Sequence, residues 1–340
     1  MEPLAGLARV PFVGAPLAGG PSTPALAAAV TEGGGLGFLA AGYKTAAAVE
    51  ADIAEVRTLA QGPIALNLFY PVREPVDDAA LAAYAARMQV EGERYGVEPG
   101  EPRWTDDDWD AKLELAARAG VDVVSFTFGC PSREIVESLR AAGSRVWCTV
   151  TSPAEAAEAE GAGVDALVVQ GAEAGGHQGS FRDHGDAPLP LLALLTEVRG
   201  STGLPLVAAG GIGTPGDATA ALTAGAAAVQ VGTALLLTDE AGTSEPHRQA
   251  LRGDRPTRLT RAFSGRRARG IENRFLLEHD AEAPRGYPQI HYVTAPIRAA
   301  ARQAHDQGGI NLWAGTGYRQ ARDGSASELV ERWAAKLRSA

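Results

Sequence analysis

Residues 166–180 read ALVVQGAEAGGHQGS, a short apolar run, Leu167, Val168 and Val169, followed at once by Gln170, a cluster of glycines and His177. The pattern is that of a buried strand emptying into a loop with almost no side-chain bulk. Such a loop lets a ligand lie against the backbone and presents a single imidazole to it. Similar units stand on either side: PLVAAGGI at 205–212, AAVQVGTALLL at 227–237, and VPFVGAP at 10–16.

Worked outward from that stretch, the chain alternates. Strands are expected at 10–16, 36–42, 64–71, 121–129, 145–150, 166–170, 205–212 and 227–237. Helices are expected between them, over 45–60, 109–119, 132–142, 153–160, 189–199 and 215–224, with a Ser-Thr-Pro start to an Ala-rich helix before the second strand. Buried strands alternating with amphipathic helices imply a parallel sheet with right-handed crossovers. Eight units in roughly 230 residues fit a closed (β/α)8 TIM barrel better than an open doubly wound sheet. The rhythm breaks once, at about 72–108, which reads as an insertion after strand 3 that forms a lid or side lobe. The expected organisation is therefore a barrel over 1–237 and a C-terminal extension over 238–340 packed on it, with helices near 296–305 and 325–337.

Composition narrows the class. The chain has 340 residues, 45% hydrophobic and 21% charged, and a net charge of −10. The acidic balance argues against nucleic acid as a partner but not against a bound phosphate, which backbone N–H groups can hold. Two cysteines, Cys130 and Cys148, give neither a disulfide framework nor a zinc site, and a reducing cytoplasm is the natural setting. There is no signal-peptide pattern, and apolar runs such as 234–237 are too short to cross a membrane. The Ala-rich helices allow a homodimer.

In a barrel of this kind the active site lies at the C-terminal strand ends. Those ends are rich in glycines and carboxamides, and Glu173 is the main carboxylate, which weighs against metal chemistry and against a two-carboxylate glycosidase. The loops after strands seven and eight, AAGGIGTPGD and VQVGTA, pair close-approach glycines (Gly210, Gly211, Gly213) with Thr214 or Thr233 near a helix start. Backbone N–H groups and a helix dipole there suit a phosphate. Asn67, Gln170 and Gln230 both donate and accept, as the edge of a heteroaromatic ring requires. Phosphate grip plus ring-edge amides points to FMN.

The segments APLAGGPSTPALAAAV, LNLF, QGAEAGGHQG, PLVAAGGI, AAVQVGTALLL, FSGRRARG and LWAGTG, in this order over nearly the whole chain, resemble the nitronate monooxygenase family. The resemblance implies a TIM barrel with FMN and no metal. It implies flavin contacts at Asn67, Gln170, Gly175, Gly210, Gly211, Gln230, Val231, Gly232 and Thr233, with the Ala15, Pro16, Leu17 loop near the ring and Gly176 allowing close approach. His177 falls on the family's active-site histidine, beside the nitro group and able to act as a general base. The activity implied is oxidation of alkyl nitronates such as propionate 3-nitronate, or of nitroalkanes, with O2 to a carbonyl compound and nitrite. Leu17 stands where the family usually has Met, and Gln178 where many members have Arg.

Two rival functions share the fold: an enoyl-thioester reductase using NAD(P)H, and a flavin- or phosphate-binding barrel without turnover. Among other residues, an unperturbed His177 near pKa 6.5 would suit a base at neutral pH. Cys130 reads as a small buried residue, with a thiol near the flavin as the alternative. Asp183 and His184 read as solvated loop residues. Arg266, Arg267 and Arg269 read either as contacts to a thioester substrate's phosphates or to a cofactor, or as a surface patch. Trp313 and Tyr318 read as a roof over the site or as ordinary packing.

Overall fold

The computed structural model describes residues 4–183 and 187–337; His184 lies outside the described residues. The first turn of the chain sets the pattern. Strand β1 (Phe12–Gly14) is followed by α1 (Pro24–Glu32), whose first turn is fixed by the Thr23 hydroxyl accepting from the Leu26 amide and by proline at its first position. Then come β2 (Phe38–Ala40), α2 (Ala46–Leu59), β3 (Ala65–Phe69), α3 (Asp78–Tyr95), α4 (Trp109–Arg118), β4 (Val123–Thr127), α5 (Arg133–Ala141) and β5 (Arg145–Val150). The series continues with α6 (Pro153–Ala162), β6 (Ala166–Gln170), β7 (Gly176–His177), α7 (Leu191–Arg199), β8 (Leu206–Ala209), α8 (Pro215–Thr223) and β9 (Ala228–Val231).

Eight of these strands form one parallel sheet in the order β1-β9-β8-β6-β5-β4-β3-β2. The ends meet: Gly14 N–H donates to Leu36 O at 2.9 Å and Leu36 N–H to Phe12 O at 3.0 Å, a parallel bridge that closes the barrel. Successive side chains alternate faces. Val13, Phe38, Ala65, Val123, Trp147 and Val168 fill the barrel interior, with Leu4 and Leu7 packed into the same cluster. Phe12, Leu39, Leu66, Val124, Cys148 and Val169 pack between strands and helices. The (β/α)8 barrel expected from the sequence is the fold observed.

The sequence reading overextends the eighth strand. Gly232 turns the backbone, and residues Thr233–Leu235 form a 3-10 helix, so the apolar run at 234–237 is buried packing and not strand.

Beyond the barrel lie α9 (Glu245–Leu251), β10 (Thr257–Thr260), β11 (Ala268–Ile271), α10 (Arg274–His279), α11 (Gln289–Gln303) and α12 (Ala326–Leu337). Helix α12 packs against α1 and α8, with the Trp333 ring edge-on to Phe12 at 5.5 Å, and so takes the place of the barrel's eighth helix. Helix α11 starts seven residues before the expected Pro296 and continues through it. That proline has no N–H to offer the Tyr292 carbonyl, and the inserted segment arrives at this turn, Gly100 N–H donating to Val293 O at 2.9 Å.

The insertion does not stand apart as a lid. Tyr84 and Met88 of α3 are buried with Phe263, Phe275 and Ile290 of the C-terminal segment, and the Tyr84 hydroxyl donates to Ala262 O at 2.7 Å. Beneath them the buried Glu91 carboxylate accepts from both Arg274 Nη atoms (2.5 and 2.6 Å) and meets His279 Nε2 at 3.3 Å. Burial alone would raise the Glu91 carboxyl; the His279 and Arg274 bonds hold it down at about 2. Insertion and C-terminal segment thus form one lobe over the mouth of the barrel.

Candidate active site

A pocket of about 360 Å³ sits at the C-terminal strand ends, floored by the barrel and walled by the lobe. The loop that opens after β6 is not a free loop. His177 and Gly176 form a short strand antiparallel to β11, with Ala268 opposite His177, in a three-stranded sheet β10-β11-β7. The basic run knits this sheet to the loop. Arg266 donates to the Ser180 and Gln178 carbonyls and lies over the Phe128 ring at 4.3 Å. Arg269 Nε donates to Ala172 O at 2.9 Å, and Arg267 Nε meets Asp183 Oδ1 at 3.1 Å. None of these three arginines lines the pocket; they clamp the histidine loop. Asp183 is likewise not a solvated residue: it is 3% exposed and also pairs with Arg261 at 2.8 Å.

His177 lines the pocket. Its Nε2 is 2.8 Å from Ser264 Oγ, which also donates to Arg266 O at 3.2 Å. With the hydroxyl hydrogen directed at that carbonyl, the imidazole carries its proton on Nε2 and its lone pair on Nδ1. Phe128, Tyr287 and Trp313 surround the ring at 5.5–5.7 Å between centroids. Burial, with the Arg266 and Arg298 guanidiniums nearby, pushes its pKa down to about 3. The ordinary value expected from the sequence does not hold, because the ring is buried and the Arg266 and Arg298 charges add to that burial.

The carboxamides divide. Gln170 Nε2 donates to the His177 carbonyl at 3.2 Å and its Oε1 accepts from Gly179 N–H at 2.7 Å, so this side chain braces the histidine loop from within. Asn67 Nδ2 donates to Ser125 Oγ and Thr127 Oγ1 at 2.8 and 3.0 Å, which turns Oδ1 out as an acceptor. Gln230 lines the pocket with no partner for its amide among the described residues.

Ala15, Pro16, Leu17, Gly175, Gly176, Gly210, Gly211, Gly232 and Thr233 all line the pocket; Val231 is wholly buried in the layer between strands and helices. Gly210 and Gly211 have φ of 103° and 72°, left-handed values that suit glycine, and a Cβ on Gly175 would lie 2.4 Å from Gly315 N. The backbone N–H groups of Gly211, Ile212, Gly232 and Thr233 have no partner among the described residues. Helix α8 contributes less than its position suggests. Asp217 Oδ2 accepts from the Gly213 and Thr214 amides at 3.1 and 2.8 Å, closing a capping box that satisfies the helix N-terminus from within. Glu173 is also committed, accepting from Leu191 N–H at 3.0 Å at the start of α7.

Other singled-out residues lie elsewhere. Cys130 is half-buried outside the pocket, its Sγ 3.4 Å from Pro131 O, and Tyr318 is buried with its hydroxyl donating to Arg255 O at 2.5 Å. Gln178 is 3% exposed and off the pocket wall, and neither atom of its amide has a partner among the described residues. Sequence reasoning missed Tyr43, Ser264, Tyr287, His291 and Arg298. Ser264 stood inside the quoted FSGRRARG, and His291, Thr294 and Arg298 follow a helical i, i+3, i+7 spacing that marks one face.

Comparison with known proteins shows the family. The family model for nitronate monooxygenase matches residues 2–335. A nitronate monooxygenase of Pseudomonas aeruginosa is 39% identical over 342 residues, covering 96% of each chain. One from Paraburkholderia phytofirmans is 38% identical over 348 residues, covering 99% of this chain and 94% of the other. A crystal structure of nitroalkane oxidase from Streptomyces ansochromogenes superposes with a TM-score of 0.96 at 48% identity, covering 99% and 98% of the two chains.

Proposed function

The chain belongs to the nitronate monooxygenase family and is an oxidoreductase, and from that premise we propose that it binds FMN and oxidises alkyl nitronates with O2 to carbonyl compound and nitrite. The residues present fit that cofactor. Four unpartnered amides from the two glycine loops suit its phosphate, while Asn67 Oδ1 and the free Gln230 amide suit polar atoms at a ring edge. Bound there, FMN would supply the electron acceptor and the route to O2. The proposed cofactor contacts are Ala15, Pro16, Leu17, Asn67, Gly175, Gly176, Gly210, Gly211, Gln230, Gly232 and Thr233, with Val231 acting only through the strand. Gln170, which also lines the pocket, is a proposed cofactor contact as well as the brace of the histidine loop.

The observation that carries the substrate class is the state of His177. Burial, with the Arg266 and Arg298 charges, holds the His177 ring neutral and makes it a poor resting place for a proton, which disfavours abstraction from a neutral nitroalkane there. A nitronate arrives already deprotonated and needs only orientation, which the aromatic walls of Phe128, Tyr287 and Trp313 around His177 can provide. A second reading is favoured by the similar Streptomyces protein, which is named a nitroalkane oxidase: neutral nitroalkanes with His177 as base. O2 uptake with ethyl nitronate and with nitroethane, each at equal concentration, separates the two. The first reading expects the nitronate to be turned over much faster; equal rates would support the second. No helix among the described residues is long and apolar enough to cross a membrane. We place the protein in the cytoplasm as a homodimer, with the barrel through residue 237 as its catalytic unit and the rest as the covering lobe.

A further inference from the structure

We propose that Arg298 and His291 form an anion-recognition wall that binds the planar oxyanion of a substrate entering this pocket already ionised. The inference rests on the nitronate reading for the identity of that substrate, but its binding measurement does not. Arg298 is 8% exposed, lines the pocket, and makes no ion pair among the described residues. Its partners are all neutral. Nε donates to Thr294 Oγ1 at 3.0 Å, Nη1 to Asn311 Oδ1 at 3.3 Å, and Nη2 to the His291 carbonyl at 2.9 Å and His291 Nδ1 at 3.3 Å. A guanidinium has five N–H donors; four are used, and the one left is on Nη1.

The same contacts fix His291. A guanidinium has no acceptor, so the nitrogen facing it, Nδ1, must be the acceptor, and a neutral His291 then carries its hydrogen on Nε2. That N–H has no partner among the described residues, and His291 lines the pocket. Its plane is set by Tyr43, stacked 3° from parallel at 4.1 Å, and Tyr43 is itself pinned in a left-handed conformation (φ 67°) by Asp107 accepting from its amide at 3.0 Å. Asp107 does not serve Arg298, because it pairs with the buried Lys112 at 2.8 Å.

Charge completes the argument. No Asp or Glu lines this pocket among the described residues, although the chain as a whole carries −10, while Arg302, one turn beyond Arg298, lines it as well. A buried guanidinium without a carboxylate is costly to keep, and a ligand oxyanion would supply the missing charge. The free N–H groups on the Arg298 fork and on the fixed His291 imidazole, both lining the pocket, each suit an anionic oxygen. The nitronate group has that form, and so does a carboxylate elsewhere on the same substrate.

The test uses the purified full-length protein, with Arg298→Met, Arg298→Lys and His291→Phe as variants. Nitrate and propionate binding is measured by calorimetry, and KM is measured for ethyl nitronate and propionate 3-nitronate. Arg298→Met is expected to weaken anion binding and raise KM by about 10–100-fold, the range of one charged hydrogen bond, with a smaller change in kcat. An equal rise for both nitronates assigns the wall to the nitronate oxygens. A rise confined to propionate 3-nitronate, with loss of propionate binding, assigns it to the carboxylate. Unchanged Kd and KM in an Arg298→Met protein that melts like the parent overturns the inference. So does loss of flavin with anion binding intact, which would place Arg298 on the cofactor. If Arg298→Met does not fold, weakened nitrate binding in both His291→Phe and Arg298→Lys supports the wall, and parental affinity in both overturns it. Absence of turnover on every nitronate, with nitrate binding still lost in Arg298→Met, would instead sink the nitronate reading and leave the wall standing.

Discussion

Ser264 places one oxygen atom behind His177, and removing it isolates what that atom does. In Ser264→Ala three contacts disappear: the 2.8 Å bond to His177 Nε2, the donation to Arg266 O at 3.2 Å and the acceptance from Arg266 N–H at 3.4 Å. Each is worth about 1 kcal/mol net, so the fold should lose about 2–3 kcal/mol and melt a few degrees lower. Only the first contact bears on turnover. Without it the imidazole keeps its aromatic neighbours but loses the partner that selects which nitrogen faces the substrate. We expect kcat/KM for ethyl nitronate to fall about 10–100-fold, chiefly in kcat, followed with an O2 electrode over a range of pH. Ser264→Thr, which keeps the hydroxyl, should recover most of the loss. If Ser264→Ala melts lower yet keeps kcat/KM within about twofold, the serine is a turn residue and the orientation argument fails.

Three other outcomes follow from the geometry. Glu91→Gln leaves Arg274 with the exposed Glu278 as its remaining charged partner, and should cost about 1–3 kcal/mol, read as a lowered melting temperature. Gly175→Ala puts a methyl 2.4 Å from Gly315 N, so flavin content after purification should drop even where the protein remains folded. Stability should also be lost on the acid side. His177 and His247 sit at about 3 and about 4 when folded and near 6.5 when unfolded, so the unfolded chain binds more protons between those limits. Stability is then full above about pH 6.5 and falls as pH drops toward 4, by up to about 2.7 kcal/mol per pH unit for two protons. Glu91, held at about 2, adds its own loss below about pH 4.5. Urea titrations at pH 7.5, 6 and 5 would show a falling midpoint; a constant midpoint would contradict the buried neutral histidines.

The barrel was legible because its signal is local. Apolar runs of strand length end in glycine or carboxamide, and Thr23, Ser152 and Thr214 stand where helices start, each accepting from the amide three residues on. The pocket floor followed, since strand ends are fixed once the barrel is assumed. What stayed hidden depends on residues distant in sequence. Nothing near Gln170 says that its amide also braces the His177 loop. Nothing near Asp183 reveals Arg261 and Arg267, which are 78 and 84 positions away. The same holds for the electrostatics: Arg298 comes from a helix 121 residues after His177 (298 − 177), so its effect on the imidazole has no signature in either segment. The overextended eighth strand is a different failure, since the run at 234–237 is apolar whether it is strand or packed 3-10 helix.

The most direct test is O2 uptake by the as-purified protein on addition of ethyl nitronate, with nitrite measured in the same sample and the chromophore identified after acid release. The account expects released FMN, rapid O2 consumption and one nitrite formed per nitronate consumed. A protein that carries FMN but consumes no O2 and forms no nitrite with any nitronate would contradict it.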